Sequence, residues 1–353
     1  MDPDARGIPS DGGSAAWFVG AVVTLFAVVG LVAAARAAGS SYLAGGARDV
    51  VSGPAGLLRS KVLVKEARFP VALTALPGGG FLSAEHETGN GRREASDGTL
   101  DPAPAATVAV RLGGQRGLLG VAVDKGARVF ADWIRASDGR EVIGQVAPGS
   151  ERVIWEGPES AELANGGHIA FDPDGRLVVG IGDVLDRSKF DDPAAPNGRF
   201  LALDPDGPSS QKPAVLSCCW NNPYAFAFSP SGKLWVADNA PELGERLARA
   251  DIGLAPSSVL TLPGVSAPSG LAIVGESALV VCGYVSRSLV AYEIGREGVP
   301  AAAGKGSGSS LPIEHAGILL TRGCATGATT LSDGRIVYSD ENSIWIVDRI
   351  LPG

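Results

Sequence analysis

The strongest hydrophobic feature of the chain is an uncharged run near its N-terminus. Ala15–Ala35 contains 21 residues and no charged side chain. A helix of that length measures about 31 Å at 1.5 Å per residue, close to the roughly 30 Å hydrocarbon core of a bilayer. Trp17 stands near one end, where an interfacial aromatic residue is expected, and Arg36 follows the other. The pattern predicts a transmembrane helix over residues 15–36, after a polar leader over 1–14.

A cleaved signal peptide is the alternative interpretation of this run. The small residues of Ala35–Ala37 have the spacing of a cleavage site. A signal peptide begins with positive charge, however, and the leader carries three aspartates against the single Arg6. The apolar run is also longer than a usual signal-peptide core, so an uncleaved anchor is favoured.

After residue 60 the pattern changes to a short unit that recurs six times. In each copy a turn rich in Gly, Asp, Ser and Pro precedes a β-prone strand, and another apolar run precedes the turn. The copies span residues 77–85, 124–133, 172–183, 229–238, 274–284 and 331–340. A hairpin unit that returns every ~40–60 residues is typical of propeller blades. A β-sandwich would not need the same hairpin six times.

The prediction is therefore an all-β, six-bladed β-propeller over residues 61–353, preceded by a single N-terminal transmembrane helix. A linker of small residues over 37–60 joins the two. The strand-like segment 61–67 is expected to pair with the last blade and close the ring.

Charge and cysteine content narrow the function classes. The net charge of −8 makes nucleic acid an unexpected partner. The four cysteines have no metal-ligand spacing with a histidine. Cys282 and Cys324 are compatible with a disulfide or with two buried thiols. The adjacent Cys218 and Cys219 lack a histidine for thiol catalysis, which favours packing or a disulfide.

Four segments, taken in order, resemble a known enzyme family. They read GQRGLLG (114–120), NGGHIAFDPDGRLVVGIGD (165–183), NGRFLALDPDG (197–207) and NNPYAFAFSPSGKLWVAD (221–238). Together they resemble the glucose/sorbosone dehydrogenase family, and the similarity extends from about Phe69 to Ile350. Those proteins are six-bladed propellers that oxidise sugars with pyrroloquinoline quinone (PQQ), usually with calcium.

The resemblance assigns six residues of this chain to an active site. The matches are Asp183 and Gln115 as catalytic residues, Asn222 and Arg287 as cofactor-binding residues, and Pro241 and Glu245 as metal-binding residues. Asn239 and Ala240 complete the partial match to the family's calcium loop.

The chain departs from the family where the chemistry is most demanding. The family's proton-accepting histidine corresponds to Ala164, and His168 lies about 13 Å further along the strand. The arginine of the family's Arg-Asn-Pro turn corresponds to Asn221, and two further arginines correspond to Cys324 and Thr326. The three carboxylates of PQQ require cations. These departures weaken the case for bound PQQ and calcium.

The sequence thus predicts a membrane-anchored propeller of this lineage with a catalytically degenerate site. Its expected role is binding, as an accessory subunit of a membrane complex. An active PQQ-dependent sugar oxidoreductase with a modified site and a calcium-dependent lactonase-type hydrolase are the alternatives, because one architecture supports several functions.

The sequence gives two conflicting indications of the side of the membrane on which the propeller lies. Arg36, Arg48, Arg59 and Lys61 follow the helix. The positive-inside rule would therefore place the propeller in the cytoplasm. The family resemblance favours the extracytoplasmic side, periplasmic or extracellular, and that side is expected.

Overall fold

The computed structural model describes residues 51–53, 56–58, 60–186, 188–240, 244–262, 266–294, 300–301 and 317–347. The expected anchor over residues 15–36 and the candidate metal ligand Pro241 lie outside the described residues. Within the described ranges, no helix has the length and apolarity needed to cross a bilayer.

The described part of the chain is built from β-strands, numbered here in chain order. A short hairpin of β1 (Val51–Gly53) and β2 (Gly56–Leu58) precedes β3 (Ser60–Lys65). Blade 1 contains β4 (Pro70–Ala75), β5 (Phe81–Glu85), β6 (Asn90–Glu94) and β7 (Ala106–Thr107). Blade 2 contains β8 (Leu118–Val123), β9 (Val129–Ile134), β10 (Arg140–Ala147) and β11 (Ser150–Glu159).

Blades 3 and 4 follow the same plan. Blade 3 contains β12 (Gly166–Phe171), β13 (Leu177–Ile181), β14 (Arg199–Leu203) and β15 (Ala214–Cys218). A four-residue helix, α1 (Ser188–Asp191), lies between β13 and β14. Blade 4 contains β16 (Ala225–Phe228), β17 (Leu234–Asp238), β18 (Arg246–Arg249) and β19 (Ser257–Thr261).

Blades 5 and 6 complete the set. Blade 5 contains β20 (Pro268–Val274), β21 (Ala278–Gly283) and β22 (Ser288–Ile294), with β23 (Pro300–Ala301) and β24 (Ile318–Arg322) both paired to β22. Blade 6 contains β25 (Gly327–Thr330), β26 (Ile336–Ser339) and β27 (Ser343–Val347). Neighbouring strands within each blade are antiparallel.

The six blades form a closed ring. The first strand of each blade contacts the first strand of the next, and β25 of blade 6 contacts β4 of blade 1. The fourth strand of blade 6 is β3, which pairs with β27 in antiparallel register. The sequence-based prediction of six blades closed by the N-terminal strand is confirmed, because strands from both ends of the propeller share one sheet.

The recurring hairpins form the first two strands of each blade. In blades 2 and 3 an aspartate accepts a backbone hydrogen bond across the turn, Asp124 from Arg128 and Asp172 from Arg176. The left-handed turn position is Gly175 (φ 86°) in blade 3, but in blade 2 it is Ala127 (φ 63°) rather than the preceding glycine. The aspartate therefore stabilises the turn even where no glycine occupies the strained position.

The core lies between adjacent blades, where apolar side chains of neighbouring sheets pack in separate clusters. Trp133, Trp220 and Trp235 are among the largest fully buried side chains. The cysteines form two disulfides, one between Cys282 and Cys324 and one between the adjacent Cys218 and Cys219. The first disulfide joins β21 of blade 5 to the segment that precedes blade 6.

Candidate functional site

The residues that the sequence singled out lie at one face of the ring. In an antiparallel blade the start of the first strand and the end of the second strand lie at the same edge. We call this edge of all six blades the upper face. It is formed by residues 66–69, 86–89, 108–117, 161–165, 182–186, 219–224, 239–240, 266–267, 284–287, 323–326 and 340–342.

Asp183 is held between blades 3 and 4. The residue follows β13 and is completely buried. The side-chain amide of Asn221 donates a 2.6 Å hydrogen bond to Asp183 Oδ2, and the Leu185 N–H donates to Oδ1 at 2.8 Å. The Asp183 N–H donates in turn to the Asn221 carbonyl at 2.7 Å. The candidate catalytic carboxylate thus fixes the turn that precedes blade 4.

Asn222 is a second connection between the same blades. Its Oδ1 accepts a hydrogen bond from the Gly166 N–H at 3.0 Å, so the side chain faces the start of β12. The N–H groups of Asn221 and Asn222 donate to the carboxylate of Asp238, at 3.4 and 3.0 Å. Arg246 forms a 2.9 Å ion pair with the same carboxylate. Burial raises the pKa of Asp238, and the Arg246 guanidinium opposes that rise.

Gln115 connects blade 2 to blade 3. Its Oε1 accepts the Ala164 N–H at 2.7 Å, and the Gln115 N–H donates to the Glu162 carbonyl at 2.8 Å. Ala164 is buried and adopts a left-handed backbone conformation (φ 57°). Its carbonyl accepts the N–H of Val184, next to Asp183. The structure therefore brings Gln115, Ala164, Asp183, Asn221 and Asn222 into one network.

Arg287 and Glu245 lie outside that network. Arg287 follows β21 in blade 5 and forms a 2.6 Å ion pair with Glu341 of blade 6. Glu245 is buried in blade 4, and its carboxylate accepts the N–H groups of Ser266 and Ala267 at 2.6 and 2.7 Å. The Ser266 hydroxyl donates to it as well, at 2.8 Å. Each residue joins its own blade to the next.

Tyr224 crosses the centre of the ring. It directly precedes β16, the first strand of blade 4, which stands opposite blade 1 in a ring of six. Its hydroxyl oxygen lies 2.9 Å from the Val71 carbonyl in blade 1 and 2.7 Å from the Leu119 carbonyl in blade 2, and the single hydroxyl proton is shared between these two acceptors. One phenol therefore links three blades and occupies the channel at this level.

His168 packs beside this tyrosine. Its ring lies 5.8 Å from the ring of Tyr224 and 4.8 Å from that of Phe226. Burial lowers the pKa of His168 to about 4. A general base works best when its pKa is near the operating pH, so His168 is a poor replacement for the histidine that Ala164 displaces.

Comparison with known proteins identifies the family of this chain. The family model described as Glucose / Sorbosone dehydrogenase matches residues 67–254, more than half of the 353 residues. The chain belongs to the glucose/sorbosone dehydrogenase family. A comparison with curated proteins finds no match.

Solved structures share the fold of this glucose/sorbosone dehydrogenase family member. A putative oxidoreductase (glucose dehydrogenase) from Thermus thermophilus is 22% identical, with a TM-score of 0.66 over 82% of this chain and 99% of that chain. The PQQ-bound aldose sugar dehydrogenase of Streptomyces coelicolor is 21% identical, with a TM-score of 0.64 over 83% and 98%. A calcium structure of a Trichoderma reesei family AA12 protein is 12% identical, with a TM-score of 0.62 over 86% and 98%.

The described residues of this family member do not fit PQQ. Its three carboxylates need cations that are not already neutralised. Arg246, at the start of β18 next to the upper face, is paired with Asp238, and Arg287 on the upper face is paired with Glu341. Arg199, beneath the loop that carries α1, donates to backbone carbonyls including that of Asp192. The residues of the upper face include four arginines and seven aspartates or glutamates, so the net charge of this face is negative and unfavourable for an anionic cofactor.

The donor set for calcium is also incomplete in the described part of the chain. Calcium takes six to eight oxygen ligands. In the described ranges no three His, Cys, Asp or Glu side chains are grouped so as to hold a metal. Both carboxylate oxygens of Glu245 already accept protein N–H or O–H groups.

Three residues of the site were not found by sequence reasoning. Tyr224 follows the Asn221-Asn222-Pro223 turn, and its role in linking the blades is evident only from the contacts of its hydroxyl across the channel. Asp238 ends the strand of a recurring hairpin, and Arg246 begins the next strand. A charged residue at a strand end is ordinarily solvated, so their burial as a pair depends on the fold.

Proposed function

We propose that this family member is a membrane-anchored propeller whose redox site has lost its chemistry. It acts by binding, as an accessory subunit of a membrane complex, with the propeller on the extracytoplasmic side. The observation that carries the proposal is the hydrogen bond between Asn221 and Asp183. The family resemblance places an arginine at position 221, and here an amide is turned inward to hold the buried carboxylate.

The other members of the network support the same conclusion. The side-chain oxygens of Gln115 and Asn222 accept hydrogen bonds from the backbone N–H groups of Ala164 and Gly166, respectively. Ala164 has no group that can accept a proton. A dehydrogenase needs a base that accepts the hydroxyl proton while hydride leaves the sugar. The network is therefore suited to holding blades together rather than to proton transfer.

Exposed apolar side chains on the upper face are consistent with a binding role. Leu112, Leu185 and Val285 are 53%, 57% and 40% exposed, and they belong to loops at blades 2, 3 and 5. Exposed apolar side chains that group into a patch mark protein–protein interaction sites. The partner expected for this surface is another subunit of the same membrane complex.

Cofactor binding is the first test. The purified full chain, incubated with PQQ and calcium, should show no saturable binding in calorimetry and no dye-linked oxidation of a panel of aldoses. The matched variant combines Ala164→His with Asn221→Arg, which restores the histidine and the arginine that the family resemblance expects at these two positions. Saturable PQQ binding with turnover in the unaltered protein would overturn the loss of chemistry. Calcium-dependent lactone hydrolysis that Asp183→Asn abolishes would support the hydrolase alternative.

Membrane attachment and partner binding are tested separately. The full chain should stay in the membrane pellet after alkaline carbonate extraction. The variant Leu25→Lys with Phe26→Lys should be released, because each lysine costs roughly 3 kcal/mol near the helix centre. Protease protection in intact cells and in spheroplasts reports the side of the membrane.

Purification in mild detergent should yield a stoichiometric partner. Leu112→Glu with Leu185→Glu should lose that partner. Leu100→Glu is the matched control, because Leu100 is 40% exposed but bridges Glu94 at the opposite edge of blade 1. A monomer from every preparation would contradict the accessory role.

A further inference from the structure

The disulfide between Cys218 and Cys219 differs from the other disulfide of the chain. It joins adjacent residues at the end of β15, and both cysteines are half-buried. The Cys282–Cys324 disulfide is fully buried and joins residues 42 positions apart. A disulfide restrains the unfolded chain more strongly the longer the loop it closes, with a logarithmic dependence on loop length. Because the Cys218–Cys219 bridge closes almost no loop, chain restraint does not account for it.

The backbone at this bridge is held in an uncommon conformation. Cys219 has a φ of 72°, in the left-handed region that residues other than glycine rarely occupy. Its carbonyl accepts a 3.2 Å hydrogen bond from Arg246. The carbonyl faces Arg246 while Cys219 keeps this conformation.

Arg246 connects the bridge to the upper-face network. Its guanidinium also donates to Asp238 at 2.9 Å. Asp238 accepts the N–H groups of Asn221 and Asn222, and the Asn221 side chain donates to Asp183. An unbroken series of hydrogen bonds therefore runs from the Cys219 carbonyl to the buried carboxylate of Asp183.

We propose that Cys218–Cys219 is a site of thiol–disulfide exchange with dithiol reductants, and that its redox state sets the position of the turn at Asn221. One thiolate of the dithiol attacks a cysteine sulfur, which breaks the protein S–S bond and forms a mixed disulfide. The second thiol of the dithiol then attacks that mixed disulfide. The dithiol loses two electrons and two protons and becomes a disulfide, and the protein gains two thiols.

Opening the bridge removes the covalent ring that ties the two cysteines together. Cys219 is then free to leave the left-handed region, since an L-residue prefers negative φ. That rotation withdraws its carbonyl from Arg246. The Arg246 guanidinium then loses the Cys219 carbonyl as an acceptor and is less firmly held in place. The Asp238 carboxylate, which holds the turn, is therefore paired with a more mobile guanidinium.

The exchange itself is tested by graded reduction of the full chain with dithiothreitol, followed by alkylation and peptide mass spectrometry. Cys218 and Cys219 should be alkylated at dithiothreitol concentrations at least about tenfold below those that open Cys282–Cys324, since exchange requires access to sulfur. Opening of both disulfides together, or of the buried one first, would overturn the proposal.

Hydrogen–deuterium exchange tests the coupling to the turn. After selective reduction, the amides of Asp183, Asn221 and Asn222 should exchange at least about tenfold faster, while those of blades 5 and 6 are unchanged. Cys218→Ser with Cys219→Ser should show the same increase and no further response to dithiothreitol.

The matched control for that experiment is Cys282→Ser with Cys324→Ser, which should keep the response of the turn to dithiothreitol. Unchanged exchange at the turn in the selectively reduced wild-type protein would refute the coupling, and that measurement stands even if a serine variant does not fold. Neither readout involves PQQ or a partner, so the outcome is independent of the proposed function.

Discussion

The side-chain amide of Asn221 donates a hydrogen bond to the buried carboxylate of Asp183 from the neighbouring blade. Thirty-eight residues separate the two in the chain. The bond joins the end of β13 to the turn before β16, so it reports directly on how blades 3 and 4 are held together at the upper face.

Removal of the Asn221 amide should destabilise the propeller. Asn221→Ala leaves the Asp183 carboxylate buried with fewer donors, which costs about 1–3 kcal/mol in the free energy of unfolding. Chemical denaturation followed by tryptophan fluorescence measures it. Adding Asp183→Asn to Asn221→Ala should recover part of the loss, because a neutral amide is cheaper to bury.

The exposed Asp186 in the same loop is the control for that measurement. Asp186→Asn should change the denaturation midpoint little, because the Asp186 side chain is exposed and an asparagine oxygen can still accept the hydrogen bonds from Ser188. If Asn221→Ala also leaves the denaturation midpoint unchanged, the hydrogen bond contributes nothing to the connection between the blades.

Tyr224 should contribute through its hydroxyl as well as its ring. Tyr224→Phe removes the hydrogen bonds to the carbonyls of Val71 and Leu119, and we expect a loss of about 1–2 kcal/mol in the free energy of unfolding. Tyr224→Ala also opens the channel and should cost about 3–5 kcal/mol. Equal denaturation midpoints for wild type and Tyr224→Phe would show that the hydroxyl does not connect the blades.

Two carboxyl groups buried inside blade 2 should make a contribution to stability that falls as pH rises. Asp132 and Glu141 are almost inaccessible and lie on adjacent strands. Burial raises the pKa of Glu141 to about 8, and burial and the Glu141 carboxylate raise that of Asp132. A raised pKa means that the folded state binds more protons than the unfolded state. The stability from this pair is thus complete below about pH 4 and is lost as pH rises towards 8.

Charge-neutral variants test this pH dependence. The double variant Asp132→Asn with Glu141→Gln should show a flatter plot of unfolding free energy against pH between about 4 and 8. Glu94 is a second source of the same slope, since burial raises its pKa to about 8. Glu94→Gln is therefore measured alongside, and a double variant with the wild-type slope would refute the assignment to Asp132 and Glu141.

The Cys282–Cys324 disulfide should supply a large part of the stability between blades 5 and 6. For residues 42 positions apart, the restraint on the unfolded chain is worth about 4 kcal/mol. Cys282→Ser with Cys324→Ser should lower the denaturation midpoint accordingly. The comparison variant, Cys218→Ser with Cys219→Ser, should lower it far less because the bridge closes almost no loop.

Much of the fold was accessible from the sequence. The hairpin unit repeats because each blade needs the same two inner strands, and all six copies lie where the second strand of a blade forms. The pairing of β3 with β27 also followed from the pattern, since the strand-like segment 61–67 has no blade of its own, and the strand it contributes is Ser60–Lys65. The turn in blade 2 differs in detail, with Ala127 rather than the preceding glycine in the left-handed conformation.

The candidate site was only partly accessible. Gln115, Asp183 and Asn222 were identified by motif, and the structure brings them into one network. The hydrogen-bond partners of these residues could not be predicted from the sequence. A side chain at a strand end contacts the neighbouring blade, and the packing of the blades decides which residues it meets there. The same holds for Arg287, whose ion pair with Glu341 spans 54 residues of sequence.

The sequence by itself determined the architecture of the propeller, because apolar alternation and turn residues are local and recur with each blade, and its ordered motifs resemble those of the family. Only the tertiary structure decided what the polar residues do. Ring closure brings Tyr224 to Val71, 153 residues earlier, and turns Asn221 towards Asp183. Contacts of that kind depend on which strand ends share the upper face once six sheets have packed around one axis.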